Sequence, residues 1–383
     1  MTKPDSIAWW RTRRAALLSV LGGRDCAYVY DIATVVQRAR ALLALQSLSR
    51  IFYAIKANPH PALLDAMAAT GLGFECVSRG EVERVLQAVP GIARDRLLFT
   101  PNFAPRAEYR WALDQGLRVT VDNLYVLRAW AELFDGREIL LRLDAGPGHG
   151  HHEKVRTAGL HSKFGVPPEE FADLAQAVAD AGATVIGLHA HGGSGHFAIA
   201  SWIDAARTLL AVAAQFPAVR AINLGGGLGV PDRPDEAPFD LAAFDVALGD
   251  VRREYPSHEL WLEPGRYLVA ESGVLLARVT QTKGKGAKRY VGIATGMNSL
   301  LRPALYGAWH EIVNLSRLDE PADQRCTIVG PICESGDELG ADRLLPHSEE
   351  GDVLLVANAG AYGHAMASHY NLRSPAEELL VPA

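Results

Sequence analysis

A chain of 383 residues is too long for one small core. At about 150 residues per domain it makes two or three domains, or one large α/β barrel with a smaller module. Its 49% hydrophobic and 21% charged side chains suit a globular protein, and a net charge of −6 without any Lys/Arg block argues against nucleic acid or an anionic membrane surface as partner. No run reaches ~18 uninterrupted apolar residues, so no membrane span is expected. The opening MTKPDSIAWWRTRRAALLSV has no signal-peptide core, and Cys26, Cys76, Cys326 and Cys333 lack CxxC spacing. The expectation is a reduced, cytoplasmic protein without a disulfide framework or a metal site.

In chain order, Trp9 and Trp10 with Arg11, Arg13 and Arg14 read as an amphipathic helix, in an N-terminal segment (1–27) that packs on a later β domain. YVYDI (28–32) precedes the main strand series and could pair with that domain. Eight short apolar runs follow: IFYAIK (51–56), GFECVS (73–78), LLFTP (97–101), RVTVDN (118–123), ILLRLD (139–144), VIGLHAH (185–191), AINLGGG (221–227) and LWLEPG (260–265). Helix-spaced stretches such as 60–71, 78–89 and 168–182 lie between them. This alternation predicts an α/β fold, a (β/α)8 TIM-like barrel over 28–270, although an open doubly wound sheet gives a similar rhythm. From 271 to 383 the texture becomes that of a mainly-β domain, with two strands around a Gly/Lys turn in 273–294 and further strands in 326–333 and 351–362.

A barrel builds its site at the C-terminal ends of its strands. Those ends are Lys56; Glu75, Cys76 and Ser78; Asn102; Asp122 and Asn123; Asp144; His189, His191 and Ser194; Gly225, Gly226 and Gly227; and Glu263 with Arg266. The triple glycine after the seventh strand allows an anion close to backbone N–H groups, with Ser194 to add a hydroxyl. Taken alone, it equally serves a tight turn without a ligand. Lys56 taken alone reads as a surface lysine. Together, a phosphate cradle, a strand-end lysine and a strand-end acid suggest pyridoxal 5'-phosphate, which needs a lysine for its Schiff base and an acid, Glu263, opposite its ring nitrogen. A desolvated lysine would also hold some free amine to attack the aldehyde.

The motifs YAIKAN (53–58), HAHGGSG (189–195), GGGLG (225–229), EPGRYLVAESG (263–273), MNSLLRPALYGAWHEI (297–312), CESGD (333–337) and AGAYGHAMASHYN (359–371) stand in an order that resembles the fold-type III pyridoxal-phosphate decarboxylases. These have the alanine-racemase-like barrel, and the resemblance is to their meso-diaminopimelate branch. NFAPRAEY (102–109), GHHEKVRT (150–157) and NLSRLDEPAD (314–323) are similar to the decarboxylase half of bifunctional aspartokinase–diaminopimelate decarboxylases. The resemblance implies that Lys56 carries the cofactor, His191 stacks on its ring and Glu263 faces its nitrogen. It implies that Ser194, Gly225, Gly226, Gly227 and Tyr362 hold the phosphate, with Arg266 there or on substrate. It further implies a homodimer with shared active sites, in which Cys333, the acid that reprotonates Cα, and Glu334 reach into the partner's site.

Substrate choice can also be argued from the residues. A diamine precursor ends in a bare ammonium, whereas diaminopimelate ends in an ammonium and a carboxylate. Glu334 offers the acid, Arg302 a fork for the carboxylate, and Tyr306, a helical turn on, a second contact. An ordinary interface salt bridge is the alternative role for Arg302. The expected activity is decarboxylation of meso-2,6-diaminopimelate to L-lysine and CO2. The alternatives are the same chemistry on an ornithine- or lysine-like or carrier-bound amino acid, and a pyridoxal-binding regulator without turnover. Gly192, Gly195 with His196, Ser299 and His364 depart from the family pattern and are expected near the pocket wall, where they bear on substrate identity. His149, His151 and His152 read as a mobile lid rather than metal ligands.

Overall fold

The computed structural model describes residues 8–145 and 162–382; the histidine loop at 149–152 lies outside them. The strands are β1 (Cys26–Tyr30), β2 (Arg50–Ala54), β3 (Gly73–Cys76), β4 (Leu97–Phe99), β5 (Arg118–Val121), β6 (Glu138–Arg142), β7 (Thr184–His189), β8 (Ala221–Asn223) and β9 (Glu259–Leu262). They continue with β10 (Gly273–Lys285), β11 (Lys288–Ile293), β12 (Ile312–Asn314), β13 (Gln324–Val329), β14 (Glu338–Leu345), β15 (Val353–Val356) and β16 (Glu377–Leu380). Two compact units result: Met1–Val35, Pro231–Ala237 and Val269–Ala383 form one, and Val36–Val230 with Pro238–Leu268 the other.

In the second unit β2 to β9 close into a parallel barrel, sealed where Arg50 and Ile51 register with Trp261 and Leu262. All eight expected runs are barrel strands, so the closed barrel and not the open sheet is the fold. Phe52, Leu98, Leu140, Ile186, Ala221 and Trp261 fill its interior, as in packed barrels of this kind. Two polar residues expected at the site instead start helices. The Ser78 hydroxyl accepts from Glu81 N at the helix Arg79–Ala88, and Asn123 Oδ1 accepts from Val126 N at the helix Leu124–Ala129. The stretch at 168–182 begins as a 3-10 turn, Pro168–Asp173, and turns α-helical only over Leu174–Asp180.

In the first unit the sheet order is β12-β15-β10-β11-β13-β14, with β1 antiparallel to β10 and parallel to β16. Trp10, Leu17 and Leu21 from two N-terminal helices pack with Val29, Val274 and Leu276 in one core. Among the described residues no helix is long and apolar enough to cross a membrane.

Candidate active site

Strand register makes the chemistry of the barrel mouth. Arg142 on β6 pairs with His189 on β7, and His189 with Asn223 on β8, so three polar side chains end three adjacent strands in one row. Just past β9, Glu263 donates its N–H to Gly225 O at 2.7 Å, which fixes its carboxylate over that row. Its Oε1 accepts from Asn223 Nδ2 at 2.7 Å and its Oε2 meets His189 Nε2 at 3.0 Å. Burial alone would raise the Glu263 pKa, but the charge and hydrogen bond of His189, with Lys56 and Asn223, outweigh it and hold the group below the usual carboxylate value. Glu263 is therefore a buried anion.

Lys56 follows β2 in the 3-10 turn Ile55–Ala57. Because Ala54 registers with Glu75 on β3, Nζ comes within 2.8 Å of Glu75 Oε2. Thr100 donates its hydroxyl to the other oxygen of Glu75. Its side chain is 38% exposed, whereas Glu75 is 2% exposed. A buried carboxylate from the neighbouring strand, which no local pattern reveals, holds the ammonium in place.

The triple glycine is a matter of space. A Cβ on Gly225 would lie 2.6 Å from Ala190 O, on Gly226 2.3 Å from Glu263 O, and on Gly227 2.5 Å from Gly193 O. Gly225 and Gly227 also take φ of 65° and 103°, which favour glycine. The N–H of Gly225 donates to Asn223 Oδ1 and that of Gly226 to His191 Nδ1. Gly227 is thus the member of the run whose N–H these contacts leave for an anion. Ser194 Oγ lies 3.3 Å from Arg266 Nη2, so hydroxyl and guanidinium converge near the same loop. Burial, aided by Arg142, Lys56 and neighbouring histidines, pushes the His191 pKa well below the ordinary value. His191 is a neutral ring whose Nδ1 accepts and whose Nε2 carries the proton.

The remaining candidates lie in the β-sheet unit. Arg302, 2% exposed, opens the five-residue helix Arg302–Tyr306, and its Nη1 donates to His310 Nε2 at 3.1 Å. Cys333 and Glu334 are exposed on a loop that Asp337 staples by accepting from Ile332 N and Met297 N. Cys333 N donates to Asn371 Oδ1 at 2.9 Å, and Tyr370 donates its hydroxyl to Glu334. Tyr362 holds a positive φ of 56°. A cavity of about 630 Å³ is lined by Pro303, Ala304, Ser335 and Gly336, the sequence neighbours of Arg302 and Glu334, so helix and loop share one surface.

Residues 31–270, more than half of the chain, match the family model described as pyridoxal-dependent decarboxylase, pyridoxal binding domain. The chain belongs to this decarboxylase family. It is a carboxy-lyase that works with pyridoxal phosphate. The diaminopimelate decarboxylase of Methanothermobacter thermautotrophicus is 38% identical over 355 residues, 89% of this chain and 82% of the relative. Protein TabA of Pseudomonas amygdali pv. tabaci is 33% identical over 366 residues, 92% of this chain and 85% of the relative. The Helicobacter pylori diaminopimelate decarboxylase, crystallised with L-lysine, superposes with a TM-score of 0.86 at 29% identity, covering 94% of this chain and 92% of that one.

The donor set of this decarboxylase fits the cofactor: an ammonium for an aldehyde carbon, a buried carboxylate, a neutral imidazole and a glycine-lined cradle beside Ser194 and Arg266. Among the described residues His189 Nδ1 and Arg142 Nη2 are buried without a hydrogen-bond partner. Such polar atoms are costly in a finished core and expected where a ligand completes it. The sequence reading missed Arg142, a charge inside the apolar run ILLRLD whose guanidinium sits 4.4 Å from the Phe164 ring centre. The logic that singled out Lys56 would have found it. Of the departures from the family pattern, Ser299 is fully buried in the β-sheet unit, bonded to Thr295 and Ala376. His364 packs edge-on to Tyr28 and pairs with Glu378. His196 does lie at the cradle, stacked on Trp202 at 4.0 Å.

Beside Lys56, burial and then the Glu75 charge raise the Glu81 pKa from 4.5 to about 7. The folded state therefore binds more protons than the unfolded chain between those values. Stability should fall as pH rises from about 4.5 to about 7, by on the order of 3 kcal/mol, and level off above. Thermal unfolding midpoints of Glu81→Gln should lose that component of the slope; an unchanged slope would place the titration elsewhere.

Proposed function

We propose that the decarboxylase removes CO2 from the D-configured centre of meso-2,6-diaminopimelate and yields L-lysine, the last step of lysine biosynthesis. Bound pyridoxal phosphate supplies the electron sink that takes up the pair left when the Cα–carboxylate bond breaks. Lys56 anchors the cofactor through Nζ, which Glu75 orients. The Glu263 anion would favour a protonated ring nitrogen, and neutral His191 would hold the ring. Ser194, Arg266, Tyr362 and the loop of Gly225, Gly226 and Gly227 hold the phosphate, with Arg266 and Tyr362 also near substrate. Arg302 and Tyr306 take the distal carboxylate and Glu334 the distal ammonium. Cys333 supplies the proton to Cα.

The observation that carries the substrate choice is the guanidinium of Arg302, buried to 2% exposure beside a neutral imidazole acceptor. A guanidinium offers a distal carboxylate a forked contact that a bare diamine cannot use, a basis for discrimination. Arg302→Ala should raise the KM for diaminopimelate about ten- to a hundredfold and leave the inhibition constant of cadaverine, which has no carboxylate, unchanged. Equal shifts for both would sink this reading. The exposed, stapled loop of Cys333 and Glu334 supports a homodimer in which each chain completes its partner's site. Cys333→Ala should spare cofactor binding and lower kcat about a hundredfold; normal turnover would remove Cys333 as the acid. All four cysteines are unpaired, which supports a reduced compartment, the cytoplasm.

A further inference from the structure

We infer that His310 is the positioning residue for substrate selection: as a neutral acceptor it aims the Arg302 guanidinium at the distal carboxylate. The inference rests on the proposed role of Arg302. His310 is fully buried, and the sheet explains its place. β12 and β15 run antiparallel with Ile312 opposite Val356, and Ala357 N donates to Glu311 O at 2.9 Å. The ladder thus extends one residue beyond each strand to pair Glu311 with Ala357, and His310, the next residue out, turns its ring to the Ala357 carbonyl.

Two contacts fix the tautomer. His310 Nδ1 lies 2.8 Å from Ala357 O, and a carbonyl only accepts, so Nδ1 carries the proton. Nε2 lies 3.1 Å from Arg302 Nη1, and a guanidinium only donates, so Nε2 presents its lone pair. The neutral ring makes both bonds together, and the imidazolium can make only the first. Arginine has a long, rotamer-rich stem, and a hydrogen bond at Nη1 removes part of that freedom before substrate arrives. A carboxylate in place of the ring would orient the guanidinium equally well but would cancel charge needed for an anionic substrate group. An uncharged acceptor orients the cation without neutralising it.

The test uses the cofactor-loaded protein and separates the two contacts. His310→Asn puts an amide nitrogen within reach of Ala357 O and gives up the acceptor toward Arg302. His310→Gln extends an amide oxygen toward Arg302. KM and kcat are measured for meso-diaminopimelate, along with inhibition constants for L-lysine, which keeps the distal carboxylate, and for cadaverine, which does not. His310→Asn should raise KM and the lysine constant about tenfold with kcat and the cadaverine constant little changed, and His310→Gln should recover most of that loss. Wild-type constants for His310→Asn, or equal shifts for lysine and cadaverine in both variants, would overturn the inference. Arg302→Ala distinguishes the levels. If it leaves the lysine-to-cadaverine preference intact, the reading of Arg302 fails and the inference with it. If it abolishes the preference while His310→Asn retains it, the inference alone fails.

Discussion

Lys56→Ala should abolish the visible absorbance of the lysine-linked cofactor and lower kcat by at least about a thousandfold. The size of the effect follows from geometry. Nζ is held 2.8 Å from a carboxylate that is 2% exposed, and the other oxygen of that carboxylate is taken by Thr100. The amine is thereby fixed at the end of β2, where under the proposed roles it would meet the aldehyde carbon of the cofactor. The variant also leaves Glu75 buried without its cation, so a lower unfolding midpoint should accompany the loss. Glu75→Gln separates the two effects, because it keeps the amine while releasing its orientation. A Lys56→Ala protein that kept the visible band would remove Lys56 as the anchor.

The second large effect is expected at Glu263. Glu263→Gln preserves size but gives two donors, Asn223 Nδ2 and His189 Nε2, one amide oxygen between them where the carboxylate offered two. It also removes the anion proposed to partner the ring nitrogen of the cofactor. kcat should fall about a hundredfold while the cofactor stays bound, read as an intact visible band beside slow CO2 release. Since the Glu263 pKa is held below the usual value, the carboxylate is ionised throughout the neutral range, and the wild-type rate should show no titration of this group near neutrality. Near-normal turnover by the variant would mean that the ring nitrogen needs no anionic partner here.

The barrel was legible because its strands are buried on both faces and read as consecutive apolar runs, each with a polar residue at or near its end. Lys56, Glu263 and the triple glycine stood out by that rule. The network between them did not, because it depends on register: Arg142, His189 and Asn223 share a row only after β6, β7 and β8 pair. For the same reason the partnership of Lys56 with Glu75, which spans two strands, was not legible. β14, ELGADRLL, was not foreseen. Its exposed and buried positions do not alternate, and it is held by its ladder to β13 rather than by an apolar face. Ser78 and Asn123 stand at strand ends as expected and cap the helices that follow, a role that end-of-strand position alone does not reveal. His310 carried no signal of its own. Its meaning lies in Ala357 and Arg302, and one of those contacts comes from 47 residues away.

Selection of a substrate that carries both a distal carboxylate and a distal ammonium can be read from CO2 release by the purified, pyridoxal-phosphate-loaded protein, with meso-diaminopimelate, ornithine, lysine and arginine in parallel. Release from diaminopimelate with none from the other three is the predicted result. Release from ornithine, lysine or arginine in its place would contradict the account of Arg302 and Glu334, while leaving the barrel chemistry of Lys56 and Glu263 in force.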